Sequence, residues 1–282
     1  MKICLTFANN NLVHLRKNSY FLRVIRTWLI VCLFSYCKIY SQTKHLTFEN
    51  FFVEQGMPTV VNYILQDRIG YLWFATSSGL YKFDGYNFTS YKHDIGDSNS
   101  LIDNTINTLY TAKGGNLWMG TQRGLDEFNP EINTFTHYKP GLSEGGNDLS
   151  NNISAICEDK YGKIWIGTGD GLFRFDKSSG IFECFRYDST DVNSISHSSI
   201  YAIYKDKEER LWFGTQVGLD RFDFQTGNFI HCWIDEENRD KIWYECSNHL
   251  IYTIFEDEAG ILWLGASKGL IEYNIKENTL TF

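Results

Sequence analysis

Catalysis needs nucleophiles, acids and bases at set spacings, and this chain of 282 residues offers few of them. Its seven histidines are scattered, with His14 near the start and His93, His197 and His249 in or beside polar stretches that read as solvated connections. The stretch GTGDG, Gly167 to Gly171, has the composition of a phosphate-cradling loop. It lacks the G-x-G-x-x-G spacing, however, and runs on into LFRFD, which is strand-like rather than helical. There is no H-E-x-x-H, no phosphate-loop lysine and no EF-hand spacing, and the sequence predicts no catalytic residue, no metal and no cofactor. Beyond residue 41 stand Cys157, Cys184, Cys232 and Cys246, none in a C-x-x-C or metal-type spacing. Cys157 reads as a small buried hydrophobe in an apolar strand, and a disulfide stays unassigned.

What the chain does offer is side chains suited to binding. Five dipeptides, Ser77-Ser78, Gln122-Arg123, Gly169-Asp170, Gln216-Val217 and Ser267-Lys268, recur at one place in a repeated phrase but differ in type. Varied polar groups on a constant frame are where a scaffold holds a ligand, which singles out Gln122, Arg123, Asp170, Gln216 and Lys268. The long stretch WIDEENRDKIWYECSNH adds Trp233, Trp243 and Tyr244, aromatics outside the repeat whose rings suit stacking on sugars. The alternative is that these three anchor the loop or a neighbouring domain.

The frame itself is set by tryptophan. Trp73, Trp118, Trp165, Trp212 and Trp263 are spaced by 45, 47, 47 and 51 residues, a period that points to a closed array of small sheets. Twelve residues before each stands Val61, Ile106, Ile153, Ile200 or Ile251, in a short apolar run read as an inner strand A. A turn follows with Asp67, Asp159, Asp206 or Asp257, whose carboxylates are expected to cap turn amides. The tryptophan strand, B, leads through the variable dipeptide to Gly-Leu and a strand C ending in Phe83, Phe128, Phe175, Phe222 or Tyr273. Strand D carries Phe88, Phe135, Phe182, Phe229 or Leu280. Four short strands per period cannot bury their faces alone and must stack on their neighbours. The sequence therefore predicts an all-β chain, a β-propeller of four-stranded blades, with each indole a plug between adjacent sheets.

Charge narrows the partners. Residues 1–41 carry six basic and no acidic side chains, leaving 20 basic against 34 acidic ones in the rest. Such a balance repels phosphate backbones, so nucleic acid is excluded, and anionic membrane surfaces are disfavoured. The basic start followed by WLIVCLFSYC, Trp28 to Cys37, reads as an export signal over residues 1–41, cleaved near Ser41-Gln42. The apolar run is about half the roughly 20 residues a span needs. The long segment before it keeps a misplaced start or an uncleaved anchor open, and the anchor would be the chain's one membrane contact.

The segment Glu54 to Tyr91, EQGMPTVVNYILQDRIGYLWFATSSGLYKFDGYNFTSY, resembles the first repeat of the two-component regulator propeller family. The likeness extends over all five repeats, taken as 57–91, 102–138, 149–185, 196–232 and 247–282 of a propeller spanning 42–282. Ala75, Ala266 and Glu209 are small departures from the phrase. The resemblance implies the periplasmic sensor part of a hybrid two-component system, an oligosaccharide ligand, and a neighbouring propeller or β-sandwich domain. It implies no enzymatic activity, and the sequence leaves dimerisation open. HLTFENFF, His45 to Phe52, resembles a D strand, yet TLTF at Thr279 to Phe282 already fills that place in the fifth repeat. The expectation is a fragment of a larger ring of about seven blades. Two alternatives stand beside it, a propeller-type lyase and a non-functional truncated remnant. A lyase would need a converging base with an acid or metal partner.

Overall fold

The computed structural model describes residues 60–140, 148–232 and 250–281. It contains twenty strands in five antiparallel sheets of four, each strand pairing with the next in sequence. Blade 1 comprises β1 (Val61–Gln66), β2 (Leu72–Thr76), β3 (Gly79–Phe83) and β4 (Phe88–Tyr91). Blade 2 comprises β5 (Ile106–Thr111), β6 (Leu117–Thr121), β7 (Leu125–Asn129) and β8 (Thr134–Tyr138). Blade 3 comprises β9 (Ile153–Glu158), β10 (Ile164–Thr168), β11 (Gly171–Asp176) and β12 (Ile181–Phe185). Blade 4 runs from β13 (Ile200–Lys205) through β14 (Leu211–Thr215) and β15 (Leu219–Phe222) to β16 (Phe229–His231). Blade 5 runs from β17 (Ile251–Glu256) through β18 (Ile261–Ala266) and β19 (Gly269–Asn274) to β20 (Thr279–Thr281). The inner strands β1, β5, β9, β13 and β17 pack side by side in that order, so the all-β propeller reading holds.

Strand B is buried at every position in blades 2, 3 and 4, because a neighbouring sheet covers each of its faces. The indole is the plug between sheets. Trp73, Trp118, Trp165 and Trp212 are at most 2% exposed. Each meets the aromatic that ends strand C of the following blade: Phe128, Phe175, Phe222 and Tyr273, at ring separations of 5.8, 6.3, 4.9 and 5.8 Å. Trp263 is only half-buried, since among the described residues no sheet follows blade 5.

The turn aspartates do more than cap. One oxygen of Asp159 accepts the amides of Tyr161 and Lys163, while the other accepts the indole N–H of Trp165 at 2.8 Å. Asp67, Asp206 and Asp257 bind Trp73, Trp212 and Trp263 in the same way at 2.8–2.9 Å. The carboxylate thereby satisfies the one polar atom of a ring that must enter an apolar seam. In blade 2 Ala112 takes that place. Glu209, where the other turns have glycine, adopts φ +62°, a left-handed conformation that a side chain disfavours.

Two small features close the seams. A Cβ on Gly120 would sit 2.5 Å from Cγ2 of Ile153 in the next blade, so glycine in the Gly-Thr pair admits the neighbouring inner strand. The second residue of strand A reaches across to that strand. Asn62 Nδ2 donates to Ile106 O at 2.8 Å, Asn107 Nδ2 donates to Ile153 O at 2.9 Å, and the Ser154 hydroxyl donates to Ile200 O. Cys157 is buried among apolar residues of the seam between blades 3 and 4, which pushes its thiol up to about 12. Cys157, Cys184 and Cys232 are free, and Cys246 lies outside the described residues.

Candidate functional site

The variable dipeptides sit on loops that are held from below. In blades 1 to 4 the last residue of strand B, Thr76, Thr121, Thr168 or Thr215, is fully buried. Its hydroxyl donates to the carbonyl of Gly79, Gly124, Gly171 or Gly218 at 2.7–3.1 Å. The same hydroxyl accepts the amide of the second loop residue, Ser78, Arg123, Asp170 or Val217, at 3.0–3.2 Å. A hydroxyl that both donates and accepts leaves the loop backbone no freedom, so only the side chains vary. The following glycine is required: Gly79 has φ +122°, and a Cβ there would lie 2.4 Å from Tyr91 O.

The loops of blades 2, 4 and 5 are also tied to the connections that enter their blades. The Gln122 amide donates to Thr105 O at 3.2 Å, that of Gln216 to Ser199 O at 3.2 Å, and that of Ser267 to Leu250 O at 2.9 Å. Loops and connections therefore share one rim. On it, between the connection 92–105 and the loop of blade 2, opens a cleft of about 840 Å³ with mainly polar walls. Gln122, Arg123, His93, Asp103, His137 and Lys139 line it. Arg123 stands 3.8 Å from Asp103 and is largely exposed, so this pair contributes little to stability and leaves the guanidinium available.

At the wall of the cleft His137 pairs with a buried carboxylate. Asp126, on β7 and 0% exposed, faces His137 across the β7–β8 register, with its Oδ1 2.6 Å from Nδ1. Oδ2 accepts the Ile102 amide at 2.9 Å, and His137 Nε2 lies 3.2 Å from Ser98 O. Burial pushes the Asp126 carboxyl up, against the His137 hydrogen bond that holds it down. The same hydrogen bond raises the imidazole above its ordinary value. Both groups are thus shifted upward, the carboxyl by burial and the imidazole by its carboxylate partner. Blade 4 repeats the arrangement with Asp220 and His231 at 2.6 Å, and Asp220 Oδ2 accepts the Ser196 amide at 2.8 Å.

Neither pair was anticipated from the scatter of histidines. The signal that would have found them is an Asp after Gly-Leu in these two repeats alone, followed eleven residues later by a His.

Of the residues expected to bind ligand, Gln122 and Arg123 come together in the cleft. The Asp170 carboxylate is engaged by Ser150 Oγ at 3.0 Å and by Arg186 Nη2 at 3.3 Å. Gln216 and Lys268 are exposed on the loops of blades 4 and 5. Trp233, Trp243 and Tyr244 lie outside the described residues. His93 is exposed, with Nδ1 2.5 Å from Leu101 O, whereas burial lowers the half-buried His197. Among the described residues no group of His, Cys, Asp and Glu is arranged to hold a metal ion.

The two component regulator propeller family matches residues 100–123, 147–170 and 194–216. Each match covers the end of a connection and strands A and B, and reaches into the dipeptide loop. A solved extracellular domain assigned to a hybrid two component system of B. thetaiotaomicron superposes with a TM-score of 0.67 at 26% identity. That likeness covers 83% of this chain and 31% of the other, so the chain spans about a third of that domain. Virginiamycin B lyase of Staphylococcus aureus shares the fold at 14% identity and a TM-score of 0.58, covering 79% of this chain and 69% of the lyase. Histidine kinase P4 of Formosa agariphila is 39% identical over 75 residues, which is 25% of this chain and 5% of the kinase. Blades 2, 3 and 4 thus each carry a match to the two component regulator propeller family, and blades 1 and 5 have the same strands in the same order.

Proposed function

We propose that the chain is the ligand-sensing propeller of an exported, periplasmic sensor of the hybrid two-component kind, and that its ligand is an oligosaccharide held on the rim. The observation that carries this reading is the coincidence of the cleft with the variable loop of blade 2. Gln122 and Arg123 there offer an amide and a largely exposed guanidinium on a backbone that Thr121 pins. Amide and guanidinium groups suit sugar hydroxyls, and the polar walls suit a hydrated ligand. Asp170, Gln216 and Lys268 stand on loops of the same rim, and Trp233, Trp243 and Tyr244, outside the described residues, belong to the proposal as further contacts. A sensor of this kind acts by passing occupancy to a neighbouring propeller or β-sandwich domain.

Calorimetric titration against a panel of neutral and acidic oligosaccharides tests it. Saturable heat without chemical change, weakened about tenfold or more by Arg123→Ala, is the expected result. Release of a shortened or unsaturated product would instead make the chain a lyase, and silence across the panel would remove oligosaccharides as the ligand class.

A further inference from the structure

His137 touches two acceptors. Nδ1 faces a carboxylate oxygen of Asp126 at 2.6 Å and Nε2 faces the carbonyl of Ser98 at 3.2 Å. A neutral imidazole has one N–H and satisfies only one of them, turning a lone pair toward the other. Only the imidazolium donates to both. Asp126 also holds the Ile102 amide through its second oxygen, so the pair ties two points of the connection 92–105, Ser98 and Ile102, to strands β7 and β8.

The fold does not need this arrangement. The corresponding cross-strand pairs are Tyr81 with Ser90 in blade 1 and Phe173 with Cys184 in blade 3. A buried carboxylate paired with a partly exposed imidazole, in a place that uncharged side chains fill in blades 1 and 3, is a costly way to gain stability and an effective way to make a switch. Other charges face the pair as well. Lys139, just past the end of β8, opposes the imidazolium, Asp103 on the connection opposes the Asp126 carboxylate, and Arg123 partly neutralises Asp103. His93, Asp94 and Asp97 line the same cleft from the connection.

We propose that protonated His137 is a latch that holds the connection 92–105 against blade 2 and so shapes the rim cleft, releasing it when the imidazole loses its proton. The latch is an inference about regulation and rests on the reading of that cleft as the ligand site, but it is measurable without ligand. The imidazole is raised in the folded chain, so the latch is complete below about pH 6.5, the ordinary histidine value, and fails as pH climbs through the higher folded value. In acid, protonation of Asp126 removes the acceptor and bounds the window from below.

The test pairs an NMR titration of the His137 ring with hydrogen exchange of the Ile102 amide in the full chain, corrected for intrinsic exchange. Expected are an imidazole midpoint above 6.5 and a loss of Ile102 protection by about tenfold across that same midpoint. His137→Gln should abolish the pH dependence. The double variant Asp126→Phe with His137→Cys, which installs the pair found in blade 3, should stay folded and show a flat profile. A His137 midpoint at or below the ordinary value, or Ile102 protection unchanged across it, overturns the latch. Failure of every oligosaccharide to bind at any pH counts against the ligand reading and leaves the latch standing.

Discussion

Trp165 and Trp263 occupy the same place in the repeat and donate the same indole hydrogen bond to a turn aspartate, at 2.8 and 2.9 Å. Trp165 is fully buried, with Phe213 and Phe222 of blade 4 against it, whereas Trp263 is partly exposed at the end of the described array. The leucines behave alike: Leu172 is 0% exposed and Leu270 is 60% exposed. At the opposite end Ile64 on β1 is 56% exposed, while its counterparts Leu109 and Ile156 are at most 6% exposed. One residue pattern therefore yields two environments. The intrablade hydrogen bonds are set by the sheet itself, but the apolar stabilisation belongs to the seam and exists only where two blades meet.

The largest test of that division is truncation of the plug. Trp165→Ala should destabilise by about 3–5 kcal/mol, since it empties a closed seam. Trp263→Ala should cost well under half as much, because water already reaches the ring. Urea unfolding of both variants measures the difference. Equal losses would show that the indole works within its own blade through the aspartate, and not between blades.

This division also marks what was legible in the sequence. The tryptophan period, the Ile twelve residues earlier and the Phe that ends strand C were enough to place all five blades, because each depends on local alternation and a turn. What the indole meets was not legible: Phe222 lies 57 residues beyond Trp165 and touches it only once two blades stack. The double duty of Asp159 was half legible, as a cap but not as the indole's acceptor, since the second role depends on the ring's orientation. The Asp126–His137 pair needed the β7–β8 register, and the cleft needed the path of the connection 92–105, which no periodicity encodes.

A smaller effect separates the glycines of strand B. Added to Gly214, a Cβ would lie 2.7 Å from the Ile251 carbonyl oxygen and 2.8 Å from Ile251 Cγ2, backbone and side chain of the next blade. Gly214→Ala must therefore push two blades apart and should cost about 1–3 kcal/mol. On Gly265 the same atom would meet Cγ2 of Thr253 at 2.6 Å, an exposed side chain of its own blade that is free to turn away. Gly265→Ala should cost less than Gly214→Ala. Reversal of that order in thermal unfolding would mean that the end sheet is packed as tightly as the inner ones.

The smallest effect is the most exacting, because it asks for nothing to happen. Leu270 follows the glycine that opens strand C, the position where Leu80, Leu125, Leu172 and Leu219 are at most 1% exposed in their seams. Replacing any of those four by serine would strand a hydroxyl in an apolar seam and remove a buried side chain, at a cost of several kcal/mol or about that. Leu270→Ser removes apolar surface that already faces water, so its effect on unfolding should stay within about 0.5 kcal/mol. A loss above about 1 kcal/mol would mean that the face of blade 5 is covered in solution, and the contrast between inner and end blades would then fall away.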